Sequence, residues 1–367
     1  MDPTPLPSQG ELNAAPIEPP LALPARPGPN AWMALVWSLL FIAAQLVVAV
    51  IAAVFLSIVG IVQRGAEGFQ AAMQQHGGNL LSVVPGAAIV LFVFSTGGNL
   101  LVACLVVLVL FRSDVRRTMA LRRPSFLHCG LVVLLALPLA LVGGWVQALA
   151  ARVLPQFNSN IELFNRLAHE SWVLILIFGC LLPALGEELF YRGLLSRGLV
   201  ARHGLILGTV IASSLFGITH LNPPQIIGTA VLALGFQAVF LSAKSLFAPV
   251  LLHGVNNAMA FGLLRLANNP TTRDVFGAGE NQLIPPALLA AALLAVMGLG
   301  WLFFETRTRW VLQDGRFWSP GYITAETPPA HLAATPRTTS PRASAIVIAF
   351  ASYALFLFVL LREIWGP

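Results

Sequence analysis

A chain of 367 residues with a mean hydropathy of +0.80, 57% hydrophobic residues and only 10% charged ones carries less than half the charge of an ordinary soluble domain and reads as a polytopic membrane protein. Its net charge of +6 and pI near 10 come almost entirely from arginine, Lys244 being the only lysine; the arginines fall in short loops between apolar runs, where they set orientation, which argues against nucleic acid as a partner. The 3 cysteines, Cys104, Cys129 and Cys180, lie in or beside apolar runs without CxxC spacing, which argues against a disulfide framework or a thiol metal site.

The expected fold class is all-α, a polytopic integral membrane helical bundle of about eight or nine transmembrane helices. Residues 1–30 are rich in proline and poor in large hydrophobes, so a disordered cytoplasmic tail is expected there, with no signal peptide. The bundle is expected over 31–304. Its first span runs from Ala31 to Val62, longer than a bilayer needs and able to tilt or emerge as a helical extension. A polar connection from Gly65 to Asn79 leads to a second apolar stretch, Leu80 to Phe111, interrupted by Pro85 and by Gly97-Gly98; it reads as one kinked span or two half-helices. Arg112, Arg116, Arg117, Arg122 and Arg123 then crowd into a dozen residues against the single acid Asp114, and this loop is expected to face the cytoplasm.

The third span covers Phe126 to Ala150, and a polar connection containing Asn158, Asn160 and Glu162 reaches Glu170. A fourth extends from Ser171 to Val200. A fifth, Gly204 to Leu221, is stopped by Asn222-Pro223-Pro224 because proline lacks the N–H a helix requires. The sixth (Gln225 to Ser242), seventh (Leu246 to Leu266) and eighth (Ile284 to Phe304) follow. Residues 305–342 read as a cytoplasmic linker and 343–361 as an additional C-terminal transmembrane helix. With the N-terminus inside, nine spans place 14 basic residues in the cytoplasm against 6 outside, with Arg192 left in the membrane.

Ionisable groups inside a span cost about 2.5 to 3.5 kcal/mol each on insertion scales, so they point to function. Only two acids fall well within a span, Glu187 and Glu188, and only two histidines, His220 and His253. Glu188 and Arg192 stand at i, i+4 with the acid N-terminal, the orientation in which a helical pair neutralises itself. Glu187 is rotated about 100° away and has no partner in its own helix. Phe216-x-x-x-His220 and His253-x-x-x-Asn257 each share one helical face, and Gly254 allows close approach beside His253. A lone intramembrane histidine is most often an interhelical hydrogen bond, Asn257 alone would be glue between helices and Phe216 alone would be core. The coincidence of Glu187, His220, His253 and Asn257 is what those readings do not explain.

The chemistry these residues suit is hydrolysis. A carboxylate in low dielectric with a histidine opposite is able to position and deprotonate water, while a histidine and an asparagine on one face are able to donate to an oxyanion. Loop counting at 1.5 Å per residue sets His220 about 24 Å and His253 about 10 Å from the cytoplasmic end, a gap that tilt or shifted helix ends must close.

The ordered motifs Glu187-Glu188-x-x-x-Arg192, Phe216-x-x-x-His220 and His253-x-x-x-Asn257 resemble those of the CPBP family of intramembrane proteases, which includes the type II CAAX prenyl endopeptidases and the bacterial Abi-type bacteriocin-immunity proteins. The resemblance covers about Trp172 to Phe261. It implies an intramembrane endopeptidase in which Glu187 with His220 activates water, His253 and Asn257 stabilise the oxyanion, and Glu188, Arg192 and Phe216 support them. It also favours a mechanism without a metal cofactor, although Glu187, His220 and His253 are a set able to hold zinc and H-E-x-x-H is absent. The expected partners are the lipid bilayer and a membrane-embedded or membrane-anchored protein or peptide substrate, in the cell membrane. Two other classes fit the same residues: a proton-coupled transporter using them as a relay, and a non-catalytic immunity or scaffold protein.

Overall fold

The computed structural model describes residues 28–157, 161–269 and 283–365. The tail expected over residues 1–30 lies outside the described residues up to residue 27, as do Asn158, Asn160 and the loop 270–282.

Among the described residues, nine apolar helices form an all-α bundle, one of several features that make this a multi-pass membrane protein. They are α1 (Ala31–Gln75), α2 (Ala87–Phe111), α3 (Phe126–Ala150), α4 (172–203), α5 (205–218), α6 (Pro223–Ala243), α7 (Phe247–Asn268), α8 (Pro286–Glu305) and α9 (Ala343–Trp365). Large apolar side chains such as Leu46, Val47, Val50 and Val54 point outward and stay more than half exposed. Lipid is as apolar as leucine, so these faces have no need of a protein neighbour.

The helix ends differ from the sequence expectation wherever glycine or proline acts. The connection expected at Gly65–Asn79 is mostly helical: α1 breaks at Gly65 (φ 71°), resumes, and folds the Phe69 ring against Gly60. The second apolar stretch is a four-residue turn of helix, Leu80–Val83, followed by a break around Pro85 and then the single span α2, which runs through Gly97-Gly98 unbroken. The connection before α4 contains a short helix, Ile161–Ala168. Between α4 and α5 only Gly204, at φ 78° and ψ 178°, leaves helical geometry. Glycine alone tolerates that conformation cheaply, and the two helices fold back so closely that a Cβ at Gly208 would come within 2.5 Å of Val200 Cα.

The linker expected over 305–342 carries a two-stranded antiparallel sheet. Strand β1 (Thr308–Val311) pairs with β2 (Thr335–Thr338), Thr308 opposite Thr338 and Val311 opposite Thr335. This hairpin and the chain between its strands dock on the arginine loop: Glu326, buried, accepts ion pairs from Arg117 (3.6 Å) and Arg197. Lys244, in the turn between α6 and α7, donates Nζ to the Thr324 carbonyl, and Arg122 donates to the carbonyls of Ala243 and Lys244. Burial pushes the Lys244 ammonium down to about 8, with Arg122 adding repulsion, and burial pushes Arg122 down to about 10.

Candidate active site

The site is built on α4, α5, α6 and α7. Helix α4 is not uniform: residues Ile175–Leu181 and Leu189–Ser196 run as π-helix, and the α-helical turn Leu182–Glu188 between them carries both glutamates. Such wide turns re-aim side chains and are frequent at functional sites. One cause is local. Pro183 has no N–H to give the carbonyl four residues back, that of Gly179, and Asn257 Nδ2 on α7 donates to that carbonyl instead at 3.2 Å. Asn257 is thereby fixed to α4 with one amide hydrogen still free for another acceptor.

Glu188 and Arg192 make the expected i, i+4 pair, Nη1 to Oε1 at 3.0 Å, with both side chains almost wholly buried. The arginine has partners on other helices as well. Its Nη2 donates to the Ala233 carbonyl at 3.2 Å, and its guanidinium lies 4.5 Å from the Phe216 ring centre and 5.2 Å from that of Phe236. Glu188 does more than brace its own helix, because the same Oε1 also accepts from His253 Nδ1 at 3.0 Å. The hydrogen bond sets which face of the imidazole meets the site: Nε2 points to Glu187 Oε2, 4.0 Å away. That Oε2 is buried and has no hydrogen-bond partner in the protein, as expected of the acid left without a mate.

His220 and His253 do meet. Both rings pack edge-on against Phe216, at 5.4 and 5.9 Å between centres. His220 is not in a helix: α5 ends at Ile218, and the imidazole stands in the turn before Pro223, with Nδ1 3.5 Å from Thr229 Oγ1. Glu187 and His220 lie at nearly equal chain distances on either side of the Gly204 turn, so the α4–α5 hairpin sets them level. The α6–α7 turn, from which His253 was counted, is covered by Arg122 and by the Thr324 carbonyl.

Phe236 had no counterpart in the sequence reading. It stacks on His253 at 5.2 Å and 23° and shares the Arg192 guanidinium with Phe216. No fixed spacing relates it to the motifs; only the demand of a buried arginine for aromatic faces could have suggested a partner on another helix. The span-edge histidine His128 has a separate place, fully buried with Nε2 3.0 Å from the Thr306 carbonyl at the end of α8. Among the described residues, no three His, Cys, Asp or Glu side chains stand where they could hold a metal ion.

Glu188, Arg192 and His253 thus form one buried hydrogen-bonded group inside a polytopic helical membrane protein, beside Glu187, His220 and Asn257. Residues 169–259 match the family model described as type II CAAX prenyl endopeptidase Rce1-like. This segment is thus similar to the CPBP/CAAX group of proteases, and every motif residue named above lies within it. No curated protein and no solved structure was found to match the chain.

Proposed function

We propose that the chain is an intramembrane endopeptidase that hydrolyses a peptide bond of a membrane-embedded or membrane-anchored substrate, with Glu187 as general base. The observation that carries this reading is the unpartnered Glu187 Oε2 set 4.0 Å from His253 Nε2, a separation over which one water hydrogen-bonds to both groups. Glu187, with His220 nearby, takes a proton from water as its oxygen attacks the carbonyl carbon. The oxyanion then accepts hydrogen bonds from His253 and from the remaining Asn257 amide hydrogen. With Nδ1–H committed to Glu188, His253 donates from Nε2 when the ring carries both protons. As the tetrahedral intermediate collapses, Glu187 returns the proton to the departing amine, which completes the hydrolysis.

Glu188 and Arg192 are positioning residues in this scheme, and Phe216 and Phe236 wall the histidines. The side chains supply the chemistry without a metal; cleavage lost on chelation and restored by zinc would overturn that part of the reading. The arginine loop is assigned to the cytoplasmic side of the cell membrane by its basic excess, and the N-terminus, two spans before it, to the same side.

The test compares membrane-protein N-termini by mass spectrometry in cells expressing the wild type or Glu187→Gln at matched levels. New termini are expected only with the wild type, since loss of a general base removes about 10² to 10⁴ in rate. Identical termini, with both proteins stably inserted, would overturn the reading in favour of a transporter or a binding protein.

A further inference from the structure

The arginine loop and the hairpin segment line an open cavity of about 520 Å³, apart from the candidate active site. Arg116, Arg117, Arg122 and Arg123 line it together with Trp310, and no acid is among its lining residues. The charges are unequally compensated. Arg117 is engaged by Asp114 and by Glu326, the nearest buried acid, which also holds Arg197. Arg122 is spent on backbone carbonyls and lies over the Trp310 ring at 5.4 Å. Arg116 and Arg123 are exposed and have no ion-pair partner among the described residues. Trp310 is only 6% exposed, yet its indole Nε1 has no hydrogen-bond acceptor in the protein.

A buried donor left unpaired costs about 1 to 3 kcal/mol, and planar guanidinium groups match phosphate oxygens better than any other anion donor set in a protein. The cavity also lies where α2 ends and α3 begins, at the ends of two spans, the level at which phospholipid phosphates stand. We infer that this cavity binds a phosphate-bearing anion, held by Arg116 and Arg123 and by the Trp310 indole N–H. The inference does not depend on the protease reading.

The detergent-purified full chain would be titrated calorimetrically with dioctanoyl-phosphatidylglycerol, with dioctanoyl-phosphatidylcholine and with inorganic pyrophosphate. Saturable binding of phosphatidylglycerol but not of pyrophosphate assigns a lipid headgroup, the reverse assigns a soluble phosphate compound, and binding of both supports the shared chemistry. In each case Arg116→Gln/Arg123→Gln is expected to weaken binding about tenfold or more, and Trp310→Phe several-fold. The arginine pair is exposed and unpaired, so its loss leaves the fold intact and keeps the test meaningful if the tryptophan variant fails to fold. No saturable binding, equal binding of phosphatidylcholine and phosphatidylglycerol, or wild-type affinity in the arginine double variant would each overturn the inference.

Discussion

Two arginine sites, one within α4 inside the bundle and one in the loop after α2, treat charge in opposite ways. Inside the bundle, Arg192 is matched by one carboxylate, one carbonyl and two aromatic faces, and Glu188 carries both Arg192 and His253 on one oxygen. In the loop, four arginines and Lys244 crowd together with Glu326 and Asp114 as their nearby acids. Hydrocarbon forbids an unpaired charge, whereas the interface tolerates an excess that solvent or an anion completes. Compensation is therefore a sign of depth, and Glu187 stands out because, unlike Glu188, it has no arginine partner among the described residues.

Breaking the inner cluster should have the larger effect. Arg192→Met leaves Glu188 buried without its cation, and a loss of about 3 to 5 kcal/mol is expected, read as a lowered unfolding midpoint in detergent. Glu188→Gln/Arg192→Met should recover much of that stability while leaving cleavage impaired, because His253 then lacks the carboxylate that orients it. Full recovery of both would reduce Glu188 to a counter-ion.

Asn257 offers a finer cut between structure and chemistry. Asn257→Ala should lower kcat by about 10² to 10³ if its amide serves the oxyanion. The same change also uncaps the Gly179 carbonyl. Adding Pro183→Ala supplies a backbone N–H to that carbonyl, so the double variant should regain stability and not kcat. A double variant that regains kcat would make Asn257 a cap only.

The loop should respond to pH in a defined direction. Lys244 titrates near 8 in the fold against an ordinary 10.5, so between these values the unfolded chain binds more protons and stability rises with pH. Below 8 both states are protonated and the full penalty is present; above 10.5 it is gone. The unfolding midpoint of the wild type should climb across that window, and Lys244→Met should flatten the climb. The smallest effect is expected at the exposed arginines: Arg116→Gln/Arg123→Gln should change stability by no more than about 0.5 kcal/mol. A larger loss would mean that these side chains brace the loop.

Much of this organisation is written locally in the chain. Apolar runs mark the spans, the two glutamates and Arg192 announce themselves by standing in hydrocarbon, and the Glu188–Arg192 pair follows from i, i+4 geometry alone, because helical neighbours are set by backbone periodicity. Each polar residue singled out in the sequence reading lies in or beside the cluster. The linker over 305–342 was not legible as structure, since four-residue strands such as Thr308–Val311 carry too short an alternation to stand out from loop.

Only the tertiary structure decided which groups touch. The Glu188–His253 bond, the stacking of Phe236 on His253 and the Asn257 cap on the carbonyl that Pro183 leaves open all join residues from different helices. Sequence spacing fixes neighbours along one helix, but the rotation, tilt and depth of one helix against another come from packing small residues and satisfying buried polar groups, which no single segment encodes.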